Sequence, residues 1–129
     1  MRWMVLLMCL PAFAFADASR CYSIKDPDKQ HYCLAVVKGE KSRCYSIKDQ
    51  DAKNRCLAEV GNQGSRCYSI QGADERQQCL AALKGEKSRC YAIQNPDNKN
   101  LCLARAGNQK SRCHSIKDSD MKNQCLSRF

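Results

Sequence analysis

The sequence predicts an all-α fold: a small disulfide-stapled α-solenoid of five 23-residue αα-hairpin repeats within 129 residues. Three observations lead there. Ten cysteines recur with a fixed alternating spacing, helix start and stop residues recur between them, and each repeat is too poor in apolar residues to fold without cross-links.

The spacing comes first. Cys21, Cys33, Cys44, Cys56, Cys67, Cys79, Cys90, Cys102, Cys113 and Cys125 are separated alternately by 12 and 11 residues, two per unit. Such a period is the signature of a repeat architecture. Units fall at approximately 19–41, 42–64, 65–87, 88–110 and 111–129, within a single repeat domain spanning 17–129. Units one and three share "KGEKSRCY", and units two and four share "GNQ", so a 46-residue pair reads as duplicated with a fifth unit appended.

Ahead of the array stands "MRWMVLLMCLPAFAFADASR". Arg2, an apolar run from Trp3 to Phe15 and the small-x-small site at Ala14 to Ala16 have the layout of a secretory signal peptide, residues 1–16, cleaved before Asp17. The run is too short to span a bilayer comfortably. No transmembrane segment is expected in the mature form, and the location is exported, periplasmic or secreted. Cleavage removes Cys9 and leaves an even ten cysteines, which in a short exported chain reads as a disulfide framework.

The short first segment of each unit is anchored by Ser-Arg-Cys, with Ile three residues after the cysteine at Ile24, Ile47, Ile70, Ile93 and Ile116. Cysteine and isoleucine three apart share a helix face. The longer second segment opens on Asp26, Asp49, Gly72, Asn95 or Asp118, each acceptable as an N-cap. Pro27 and Pro96 follow at the first helical position. An Asp two residues past each cap (Asp28, Asp51, Asp74, Asp97, Asp120) lies in the first turn, near the positive end of the helix dipole. Gly39, Gly61, Gly85 and Gly107 stand where a left-handed C-cap is expected.

Each hairpin offers about one Ile, one Leu, one or two small aliphatics and part of a Tyr, against a backbone ordering cost of about 1–2 kcal/mol per residue. A disulfide closing a loop of a dozen residues adds around 3 kcal/mol in the chain-entropy picture. Pairing within units and pairing between units are equally in register. Of these two, pairing between units along the chain strands Cys21 and Cys125, so pairing within units, 21–33, 44–56, 67–79, 90–102 and 113–125, is the expectation among the 945 complete pairings ten cysteines allow.

Metal, redox and catalytic chemistry find little support. The cysteine intervals are far longer than the C-x₂₋₄-C of zinc sites, C-x-x-C is absent, and the recurring Ser, Asp and Arg read as scaffold residues rather than a convergent constellation. No cofactor, metal or catalytic residue is expected, and the chain reads as a non-enzyme.

Two features suit binding. Arg20, Arg43, Arg66, Arg89 and Arg112 form a ladder with one rung per hairpin, as do Tyr22, Tyr45, Tyr68 and Tyr91, for which packing between units is the expectation; His114 replaces the fifth tyrosine. Charge is also uneven: residues 17–86 carry a net +2 and residues 87–129 a net +6. A basic contact built from Arg89, Arg105, Lys110, Arg112, Lys117, Lys122 and Arg128 suits a protein partner or an anionic envelope component, with no specific nucleic acid expected.

The expected function is an exported, non-enzymatic scaffold that binds a macromolecular partner, as an inhibitor or immunity protein for a secreted enzyme or toxin. The alternative is a cationic membrane-active or envelope-polymer-binding protein. An uncapped apolar face on the last repeat would promote self-association.

Overall fold

Each repeat begins with a tight helical turn and continues into a longer helix folded back against it. The computed structural model describes residues 18–129. The signal peptide of residues 1–16, Cys9 and the cleavage point before Asp17 lie outside the described residues.

The first segments are α1 (Ala18–Tyr22) in unit one and 3-10 helices in the other units, at Lys41–Ser46, Gly64–Ser69, Lys87–Ala92 and Lys110–Ser115. The 3-10 form suits what is buried. With three residues per turn, positions i and i+3 eclipse, so cysteine and isoleucine stack on one face. Cys44 and Ile47 are both buried, as are their counterparts in every unit.

The second segments are α2 (Pro27–Lys38), α3 (Gln50–Glu59), α4 (Ala73–Lys84), α5 (Pro96–Ala106) and α6 (Ser119–Leu126). Asp26, Asn95 and Asp118 cap them through their side chains, accepting from Lys29, Asn98 and Met121 N–H, whereas Asp49 and Gly72 make no such bond. At the far end, Gly39 and Gly85 are left-handed, at φ 66° and 64°. Gly61 and Gly107 are not: Asn62 and Asn108 take the left-handed turn one residue later, at φ 56° and 51°. These two glycines are needed for closeness instead, since a Cβ would lie 2.6 Å from the Leu57 carbonyl oxygen and 2.7 Å from that of Leu103.

Disulfides join Cys21–Cys33, Cys44–Cys56, Cys67–Cys79, Cys90–Cys102 and Cys113–Cys125, tying each short segment to its own long helix. Packing between units uses the residues just past the second cysteine. Ala35 packs with Cys44, Ile47, Cys56 and Leu57 of the next unit; Ala58, Ala81 and Ala104 repeat the arrangement. The small side chain lets the next disulfide seat closely.

The solenoid closes on itself. Asp28 accepts from the N–H groups of Lys48 and Asp49 in the next unit, at 3.0 Å each. Asp51, Asp74 and Asp97 repeat this with Gln71 and Gly72, Gln94 and Asn95, and Lys117 and Asp118. Asp120, in the last unit, accepts from Lys25 and Asp26 in the first, at 2.9 and 3.0 Å. Ser127, standing where other units carry alanine, puts its hydroxyl oxygen 3.2 Å from Cys33 Sγ. Unit five therefore meets unit one through the same clasp, over a smaller surface than the internal joints.

The recurring Asp thus does more than sit in a first helical turn: it is the clasp between units. At the end of the array Phe129 packs into the unit-five core. Among the described residues no helix is long and apolar enough to cross a membrane.

Candidate functional site

Closing five long helices into a ring turns one stripe of each toward the axis. Relative to the second cysteine these positions are −4, −1 and +3, the i, i+3, i+7 spacing of a single helix face. Lys29, Ala52, Glu75, Asn98 and Met121, the five −4 residues, line one cavity of about 300 Å³, and Tyr32, Arg55, Leu101 and Gln124 form its floor. The five +3 residues, Val36, Glu59, Ala82, Arg105 and Arg128, line a second cavity of about 370 Å³ at the opposite end of the helices. A cavity lined by the same position from every repeat lies on the ring axis.

Between the two cavities sits a buried ionic cluster. Glu59, 8 % exposed, meets Arg55 Nε at 3.3 Å, Arg105 Nη2 at 2.8 Å and Arg128 Nη2 at 3.5 Å. The Tyr32 hydroxyl donates to Glu59 and accepts from Arg105 Nη2 at 2.7 Å and Arg128 Nη2 at 2.9 Å. All three guanidinium groups also lie within 6 Å of the Tyr32 ring centroid, the range of a cation–π contact.

Burial alone would push the Glu59 carboxyl up, yet the charges of Arg105, Arg55 and Arg128 and the Tyr32 hydrogen bond hold it well below the carboxylate range. Arg105 is the converse: burial works against its charge, and Glu59 with Tyr32 more than restores it. Arg128 is pressed down to about 10 by burial and by the neighbouring charge of Arg105. Three guanidiniums around one carboxylate leave the cluster with surplus positive charge. Arg55 Nη2 and Arg105 Nε are buried without a hydrogen-bond partner in the protein.

The expected basic contact is divided by this arrangement. Arg105 and Arg128 come together on the axis. Arg89 bonds Glu86 and Gln77, and Arg112 bonds Gln109 and Asn100, so both serve the outer scaffold. Lys110 and Lys117 are exposed and Lys122 half-buried. Most of the arginine ladder is likewise committed: Arg43 pairs with Glu40, and Arg66 bonds Gln63 and Asn54.

The tyrosine ladder departs from expectation more sharply. Tyr22, Tyr45, Tyr68 and Tyr91 do not pack between units; they are 57–61 % exposed on the outer layer. The buried contacts they were expected to make are supplied by cysteine and isoleucine on the other face of the same turn. Lys38 and Lys84 donate to the Tyr22 and Tyr68 hydroxyls at 3.0 and 3.3 Å. His114, in the equivalent place, is exposed too.

Sequence reasoning passed over Glu59, Tyr32 and Arg55. Their signal was variation: the −1 position reads Tyr, Arg, Gln, Leu, Gln and the +3 position Val, Glu, Ala, Arg, Arg within units otherwise nearly copied. Without knowledge that the array closes, nothing places those five side chains together. Among the described residues no group of His, Cys, Asp and Glu is arranged to hold a metal. No protein-family model matches the chain, and comparison with curated proteins and with solved structures returned no match.

Proposed function

We propose that this chain is an exported, non-enzymatic binding scaffold whose partner is a protein, contacted through the outer rim of the ring. The observation that carries this reading is the row of four tyrosines, one in each of the first four repeats, each more than half exposed. Tyrosine is enriched in protein interfaces because it offers a large, stiff apolar face with a polar tip. Solvent exposure of one tyrosine is ordinary; four at one structural position make a continuous motif.

The disulfides and ring closure favour tight docking, because a stiff scaffold loses little conformational freedom on binding. That property suits an inhibitor or immunity protein for a secreted enzyme or toxin. Five disulfides also suit an oxidising compartment, periplasmic or secreted. Most of the recurrent aspartates and arginines are occupied in clasps, caps and outer ion pairs, while the tyrosine rings of the rim stay exposed.

The test is affinity capture from envelope and culture fractions with the protein starting at Asp17. Parallel capture uses Tyr45→Ala/Tyr68→Ala/Tyr91→Ala, whose exposed side chains can be removed without opening the core. One dominant protein retained by the native ring and lost by the triple variant is the expected result. Equal capture by both, or retention of lipid or envelope polymer alone, contradicts the reading and favours the cationic, polymer-binding alternative.

A further inference from the structure

We infer that the axial mouth holding Arg105 and Arg128 is a ligand site for a carboxylate attached to an apolar chain. Three observations converge. First, this mouth sets Arg105 and Arg128 against the single carboxylate of Glu59. Buried charge without a counter-charge is costly, and an incoming anion offsets it. The low position of the Arg128 guanidinium, about 10, has the same origin. Second, Arg105 is only 6 % exposed, and its Nε has no protein partner. Arg128, at 23 %, still reaches solvent at the mouth.

Third, the walls are aliphatic. Val36, Val60, Ala82 and Leu83 line the mouth with the two arginines, and Leu83 is 39 % exposed. Paired guanidiniums match the planar fork of a carboxylate. The collar then selects among anions. A phosphate or sulfate would lose hydration against valine and leucine, whereas an alkyl chain gains there about 0.8 kcal/mol per CH₂ fully buried.

The opposite mouth makes the contrast. It places Lys29 and Arg55 among Asp26, Asp28, Asp49 and Glu75, so its acidic groups outnumber its basic ones and it does not favour an anion. The two ends of one axis therefore differ in sign, and only one has both the cations and the aliphatic collar.

Such a carboxylate can come from a small fatty acid or from the C-terminus of a peptide ending in an apolar residue, and the experiment separates them. The oxidised protein is titrated with sodium hexanoate, sodium acetate, sodium sulfate, and a short peptide ending in leucine with a free or an amidated terminus. Binding is read by calorimetry and by NMR shifts of Val36, Val60, Leu83 and the arginine Nε groups. Saturable binding of hexanoate, of the free-acid peptide, or of both supports the inference, with the stronger ligand naming the source. Acetate is expected to bind at least about tenfold more weakly than hexanoate, since it leaves the collar empty.

Arg128→Gln is expected to weaken binding about tenfold or more. Leu83→Ser removes only an exposed collar residue, and is expected to reduce hexanoate affinity with the fold intact should the arginine variant unfold. Sulfate binding as tightly as hexanoate, no saturation by either carboxylate up to about 10 mM, or unchanged affinity in Leu83→Ser overturns it.

Discussion

Asp120 Oδ1 accepts a hydrogen bond of 2.9 Å from the backbone N–H of Lys25, a residue 95 positions earlier in the chain. Four other aspartates make the same bond to the repeat that follows them. This one reaches backward, and it makes an array into a ring. A carboxylate holding two N–H groups is a charge-assisted pair worth more than neutral hydrogen bonds, though solvent at the surface weakens it.

Asp120→Ala removes the clasp at the closing joint. The expected loss is about 1–2 kcal/mol, the scale of hydrogen bonds to a charged group allowing for exposure. Asp74→Ala, inside the array, removes the same two bonds. Urea denaturation of both should give similar losses, because in a ring no joint is terminal. A much smaller loss for Asp120→Ala would indicate an open chain end.

Glu59 is the only carboxylate of the axial cluster, and it neutralises part of three guanidiniums. Glu59→Gln leaves those charges buried together, at an expected cost of about 3–5 kcal/mol. Replacing Glu59, Arg55, Arg105 and Arg128 together by aliphatic residues of similar volume should recover most of that stability. Equilibrium denaturation of the two variants checks this; a mild effect of Glu59→Gln would mean the cluster is already well solvated.

Acid should loosen the ring. The carboxyls of Glu59, Asp28, Asp97 and Asp120 all lie below their ordinary range, Glu59 through its arginines and the aspartates chiefly through backbone N–H groups. A carboxyl depressed by folding contributes stability that is complete above its unfolded pKa, near 4, and disappears as pH falls through its lower folded value. The melting temperature should be flat from about pH 5 to 8 and fall below about pH 4. The aspartates are only half-buried and contribute little each, so Glu59→Gln should flatten most of the acid slope. An unchanged slope in that variant would place the effect elsewhere.

Removing one staple tests how much the thin core depends on cross-links. Cys67→Ala with Cys79→Ala opens a single loop of 12-residue separation, with an expected loss of about 3 kcal/mol. Denaturant midpoints with and without the pair measure it. A negligible loss would mean that clasps and packing suffice alone.

The repeat and most helix boundaries were legible because they rest on local chemistry, while the intra-unit pairing followed from leaving no cysteine over. Cysteine spacing, caps at Asp26 and Asn95, and the stacked Cys44 and Ile47 all act within a dozen residues. Closure was not legible. Asp28 and Asp120 look alike in sequence, and only packing decides that one reaches forward and the other back to Lys25. The axial cluster depends on that closure, so the variation at Glu59 and Tyr32 could not be tied to a shared site. The tyrosines were misplaced for a related reason: in a six-residue 3-10 turn the buried face is filled by cysteine and isoleucine, leaving the neighbouring residue outside.

Nuclear Overhauser contacts in labelled oxidised protein test the closed ring most directly. The amide protons of Lys25 and Asp26 should show cross-peaks to the Asp120 β-protons as strong as those from Lys48 and Asp49 to Asp28. Contacts present at the four internal joints and missing between Lys25 and Asp120 would contradict closure, and with it the axial site.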